Sequence, residues 1–94
     1  MRYKPQYSNR FKRQYKKLLH SGNQRALKAL QRTITLLASG NSLSPSYRNH
    51  QLIGTLKEFS ECHVLPDWLL VYRIYEEVLI LELIATGTHS ELFG

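Results

Sequence analysis

Two nearly continuous apolar runs, WLLVYRIY at 68–75 and VLILELIA at 78–85, stand with only Glu76-Glu77 between them. Such runs, rich in branched and aromatic residues, are the pattern of central strands whose two faces both meet apolar neighbours. The acidic pair between them predicts a hairpin, so the sheet is expected to be mostly antiparallel. A third strand is expected from about Leu56 to Leu65, leading into the hairpin through Pro66-Asp67. Everything else in the chain must be placed around this apolar centre.

The preceding half supplies the cover. Ser8 is a suitable N-cap, and Phe11, Tyr15, Leu18 and Leu19 follow at i, i+4, i+7 and i+8, the stripe of an amphipathic helix that Ser21-Gly22 ends. Asn23 caps a second helix, with Leu27, Leu30, Ile34 and Leu37 on its apolar face and Ser39-Gly40 as its stop. So short a link predicts an antiparallel helix pair lying on one face of the sheet, the other face being partly open. Arg2 to Tyr7 is extended and, with Pro5 in it, belongs on an edge. Residues 41–55 show no period and read as a long loop. At 94 residues, the chain is expected to make one domain, 1–94, of the α+β class: two N-terminal antiparallel helices on a small, twisted, mostly antiparallel sheet.

Charge is divided sharply along this plan. Residues 1–48 hold eleven Lys and Arg and no acid, whereas residues 49–94 hold two basic residues and seven acids. The helical bases Arg10, Lys12, Arg13, Lys16, Lys17, Arg25, Lys28 and Arg32 should crowd the solvent faces. They form either a solubilising surface or a binding surface for a polyanion or an acidic protein. One cysteine, Cys62, allows no internal disulfide and suits a reducing cytoplasm, and neither an export signal nor a membrane span is expected.

Four histidines are the residues best suited to chemistry. His20 at a helix end is assigned to capping carbonyls, while His50, His63 and His89 fall on separate elements that can converge on one cleft. Imidazole titrates near neutrality, so two or more in a cleft divide general-acid and general-base work. Asp67, four residues after His63, either accepts turn hydrogen bonds or approaches the His63 ring across the hairpin. Trp68 and Phe93 either pack in the core or stack on a base. Strand alternation puts Cys62 and Val64 toward the core and His63 on the opposite face with Glu61. Adjacent Cys62 and His63 therefore diverge, no C-x-x-C or H-x-x-x-H spacing exists, and no metal or other cofactor is expected. A G-x-S-x-G elbow and glycine-rich phosphate loops are absent as well.

Three segments carry a family resemblance: HQLIG at 50–54, HVLPDWLLVY at 63–72 and TGTHSELFG at 86–94. In order and spacing they resemble the YafQ branch of the RelE-type toxins of bacterial toxin–antitoxin pairs, over about residues 47–94. The resemblance implies a small α+β toxin that cuts mRNA in the ribosomal A site without a metal and is silenced by a cognate antitoxin of the DNA-binding ribbon-helix-helix type. It implies a site of His50, His63, Asp67, Trp68, His89 and Phe93. His89 would be the general acid and Asp67, with His63, the base or its orienting partner. His50 and Lys57 would bind the scissile phosphate, and Trp68 and Phe93 would pack on or position bases. Relatives often carry arginine where this chain has Ala85 and Ser60; Arg48, Lys57 or Arg73 are the candidates to substitute. The alternatives are a non-enzymatic ParE-like toxin acting on a protein such as gyrase, and a nucleic-acid-binding module without catalysis.

Overall fold

The computed structural model describes residues 1–54 and 58–94 of the chain. A short strand, β1 (Lys4–Tyr7), leads into helix α1 (Asn9–Ser21) and helix α2 (Gln24–Ala38). A 3₁₀ turn at Pro45–Tyr47 precedes β2 (His50–Gln51), β3 (Ser60–Leu65), β4 (Trp68–Tyr75), β5 (Ile80–Gly87) and a last helix, α3 (His89–Phe93). The five strands form one sheet in the order β1-β5-β4-β3-β2. All pairings are antiparallel except β1 with β5. This is the α+β arrangement that the patterning predicts, with β1 added in parallel at one edge.

Local signals act where the sequence puts them. Ser8 Oγ accepts from the Phe11 amide at 3.0 Å and donates to the Ile84 carbonyl at 2.6 Å, so the cap of α1 also fastens the helix to β5. Gly22, at φ 79°, ends α1 in the left-handed region that favours glycine, and Asn23 Oδ1 caps α2 by accepting from the Ala26 amide. Phe11 and Leu18 of α1 and Ala26, Leu30 and Leu37 of α2 pack in one core with Cys62, Val64, Leu70, Tyr72, Leu81 and Leu83 of the sheet. Each large side chain buried this way contributes about 1.5–3 kcal/mol. All eight helical bases of the predicted set lie outside this core and are exposed.

Two boundaries differ from the sequence reading. The third strand begins at Ser60, and the first two residues of the expected range, Leu56 and Lys57, lie outside the described residues. The last strand begins at Ile80, because Val78 and Leu79 belong to the hairpin turn, where Leu79 takes φ 54°. The long segment after α2 is not all loop: the 3₁₀ turn and β2 lie within it. No helix among the described residues is long and apolar enough to cross a membrane.

Candidate active site

Strand pairing brings two of the predicted histidines to one carboxylate. His50 on β2 is paired with Glu61 on β3, and His63 lies two residues further along the same strand. Glu61 Oε1 is 3.7 Å from His50 Nε2 and 4.0 Å from His63 Nε2, and the Glu61 side chain is only 9% exposed. A carboxylate so nearly buried is costly unless charge or hydrogen bonds compensate it, and the two imidazoles are placed to do so.

Both rings are held in the same way. His50 Nδ1 bonds to the Arg48 carbonyl at 2.8 Å and His63 Nδ1 to the Pro66 carbonyl at 3.2 Å. A carbonyl only accepts, so each Nδ1 carries the proton and each Nε2 is left facing Glu61. The turn that supplies the first carbonyl is itself anchored, since Tyr72 Oη donates to Asn49 Oδ1 at 2.6 Å. Cys62, between Glu61 and His63, is fully buried on the core face as alternation requires. Burial, with the Glu61 charge as the lesser cause, pushes its thiol up to about 12.

The third histidine reaches the same end of the sheet by register. His63 pairs with Leu69 and Leu69 pairs with Gly87, so Gly87 lies about 10 Å from His63, two interstrand spacings away. Thr88 then caps α3, which opens with His89. Thr88 Oγ1 accepts from the Glu91 amide at 3.3 Å and Glu91 Oε1 accepts from the Thr88 amide at 2.8 Å, a reciprocal capping box that fixes a very short helix. These bonds to Thr88 also hold the Glu91 carboxyl below its ordinary range. Lys17 Nζ stands 3.6 Å from Glu91 Oε2, joining α3 to α1. Phe93, 44% exposed, lies with its ring 5.5 Å from that of His89.

The remaining expected residues are distributed as follows. Trp68 is half-buried against the core, and its Nε1 donates to Thr86 Oγ1 at 2.9 Å, which in turn donates to the Leu69 carbonyl at 2.8 Å. The indole thus braces the segment that leads to His89. Asp67 is exposed in the β3–β4 turn next to Pro66. The carboxylate within ion-pair distance of His63 is Glu61. Arg48 is exposed at the start of the β2 segment. Arg73 bonds Glu58 at 3.0 Å and lies 4.3 Å over the Tyr75 ring, so its charge is engaged outside this group. Lys57 lies outside the described residues. Glu61 is the residue that motif reasoning passes over, although its place two residues before His63 on one strand face is the signal for it. No three His, Cys, Asp or Glu side chains among the described residues are grouped to hold a metal ion.

Residues 3–94 match the family described as the bacterial toxin of type II toxin–antitoxin systems, YafQ. This chain belongs to that family. It is 34% identical to the mRNA interferase toxin YafQ of Escherichia coli K12 over 90 residues, covering 95% of this chain and 94% of the relative. The metal-bound toxin from Helicobacter pylori superposes with a TM-score of 0.86 at 41% identity, over 97% of this chain and 99% of that one. YafQ in the E. coli DinJ-YafQ complex superposes equally well, with a TM-score of 0.86 at 30% identity over 98% and 99% of the two chains. YafQ-family membership accounts for the α+β plan, and the three C-terminal motifs all fall within the matched region.

Proposed function

We propose that this chain is the mRNA-cutting toxin of a type II toxin–antitoxin pair, an endoribonuclease that stops translation and whose residues 1–94 act as one domain. The observation that carries the reading is the pair of imidazoles flanking Glu61, with His89 delivered to the same end of the sheet by the His63–Leu69–Gly87 register. RNA cleavage by its own 2′-OH needs three things: a base to take that proton, positive charge near the phosphorane, and an acid to protonate the leaving 5′-oxygen. The 2′-oxygen bonds to phosphorus as the P–O5′ bond breaks, leaving a cyclic phosphate and a 5′-hydroxyl.

In this assignment His63 takes the 2′-OH proton at Nε2, held in orientation by the Pro66 carbonyl and balanced by Glu61, with Asp67 at the adjoining turn as its second carboxylate. His50 in its protonated form, with Lys57, faces the phosphate. His89 gives its proton to the 5′-oxygen, and Phe93 beside it packs on a base. Trp68 positions the Thr86–His89 segment from beneath. The surface bases of α1 and α2 suit ribosomal RNA, which supports a site of action in the ribosomal A site of the cytoplasm. The same family membership supports a cognate antitoxin, read as a DNA-binding ribbon-helix-helix protein.

The deciding experiment expresses the chain alone and as His89→Ala, with primer extension on a translated message. The wild type should arrest growth and cut within codons. The variant should fold and lose cutting by about 10²- to 10⁴-fold, the contribution of one positioned acid. Equal arrest by both proteins, without cuts in either, would reject the ribonuclease reading.

A further inference from the structure

Beside His63, a cavity of about 380 Å³ opens between the 3₁₀ turn and the end of β3. Its lining includes Ser46, Tyr47 and Arg48 from the turn and His63, Leu65 and Pro66 from the strand end. The volume is within the range of small-molecule sites, about 300–1,000 Å³, and His63 belongs both to this cavity and to the Glu61 group. We infer that this cavity is the subsite for a nucleobase next to the cut, and that Arg48 is the residue that reads it. The inference rests on the ribonuclease reading above and adds to it a source of sequence preference.

Three observations support it. The turn is preformed: the Arg48 amide donates to the Pro45 carbonyl, His50 Nδ1 to the Arg48 carbonyl, and Tyr72 Oη to Asn49. A base entering the cavity therefore meets walls already in place, which lowers the ordering cost of binding. The lining is also of the right chemistry, with an aromatic residue and proline for a flat apolar surface and a guanidinium with donors for base-edge acceptors. Finally, Arg48 closes the 3₁₀ turn at φ 48° and ψ 41°, a left-handed conformation that suits glycine or asparagine and is costly for other residues that carry a Cβ. A residue kept in such a conformation next to a cavity points to a task for its side chain.

The inference separates from a phosphate-binding role by a pattern. A base-reading arginine sets preference at one position, whereas a phosphate contact weakens binding to all sequences alike and lessens the salt dependence. Arg48→Gly is the informative variant, because glycine relieves the backbone and folding is retained; Arg48→Lys keeps the charge but loses the planar fork. Cut sites across a pool of ribosome-bound messages are mapped for the wild type and both variants at two salt concentrations. The wild type should favour, at one position beside the cut, a base presenting acceptors. Both variants should flatten that preference, by roughly 5- to 150-fold for removal of one bidentate pair, with other positions unchanged. A uniform fall across all sequences, or a base profile identical to the wild type, would overturn the inference while leaving the ribonuclease reading intact. A wild type that cuts no message at all would instead overturn the reading on which it rests.

Discussion

His50 Nε2 lies 3.7 Å from Glu61 Oε1 across the β2–β3 pair, so a two-residue edge strand does what a longer one usually does: it fixes a side chain in register with its chemical partner. Because Glu61 is nearly buried, its charge acts on the flanking rings with little screening by water. Glu61→Gln, which keeps the shape and removes the charge, is expected to slow single-turnover cleavage roughly 10²-fold, the lower end of what a positioned acid–base group supplies. Glu61→Asp should recover part of that rate. Thermal melts of the same proteins check that the loss is chemical: both variants should unfold within a few degrees of the wild type.

Helix α3 is five residues long and has little to hold it besides its cap. Thr88→Ala removes the side-chain half of the capping box and should cost about 0.5–2 kcal/mol, concentrated in α3. The pH dependence has a definite sign. Glu91 is held below its ordinary value of 4.5, chiefly by the hydrogen bond from the Thr88 amide. Its contribution is therefore present above that value and lost as pH falls through the depressed one. Protection of the Leu92 amide, which bonds the Thr88 carbonyl, measured against the intrinsic exchange rate at each pH, should be lost in acid before protection in the core is.

Much of this arrangement is legible in the sequence, and what is hidden has physical causes. Trp68 to Tyr75 forms a strand end to end because both faces of that run are apolar, and Ser8 and Asn23 cap because short polar side chains before an apolar stripe can do little else. β2 is hidden because His50 and Gln51 carry no strand pattern and gain their place from pairing with β3. Glu61 is hidden because an acid on a strand ordinarily marks the solvent face. The partner of His63 differs from expectation for a related reason. Proximity in sequence points to Asp67, whereas the register shifts after His63 and the ring stands beside the Pro66 carbonyl and Glu61, with Asp67 left in the adjoining turn.

The indole of Trp68 reaches Thr86, and that hydroxyl passes the bond on to Leu69. Trp68→Phe keeps most of the packing and deletes one donor, so it should cost about 0.5–1.5 kcal/mol. In a domain of this size that corresponds to a fall of several degrees in Tm. Trp68→Ala also leaves a void and should cost about 3–5 kcal/mol. Differential scanning calorimetry of the two variants checks the order and the spacing of these effects.

The surface bases of α1 and α2 face no acid from their own half of the chain. Reversing Lys12 and Arg13 to glutamate should weaken ribosome binding and reduce the slope of affinity against salt by about 0.7–0.9 for each phosphate no longer neutralised. Binding to purified ribosomes across a salt series measures both. Unchanged slopes would mean that these side chains only solubilise the helix pair.

Cys62 tests the core from within. It is fully buried between Glu61 and His63 in sequence yet on the opposite face, and burial raises its thiol from 9.0 to about 12. A thiol held neutral is a poor nucleophile, so the folded protein should resist an aromatic disulfide reagent at about pH 8 and react promptly once unfolded in guanidinium. The linkage runs opposite to that of Glu91. The folded state keeps this proton where the unfolded chain has lost it, so stability falls as pH rises from about 9, where the unfolded thiol ionises at no cost, toward 12. Cys62→Ala should flatten that alkaline decline in denaturant titrations while leaving the acid limb unchanged. Rapid labelling of the native protein would instead mean that β3 opens readily, and that the strand holding Glu61 and His63 is not the rigid support their chemistry requires.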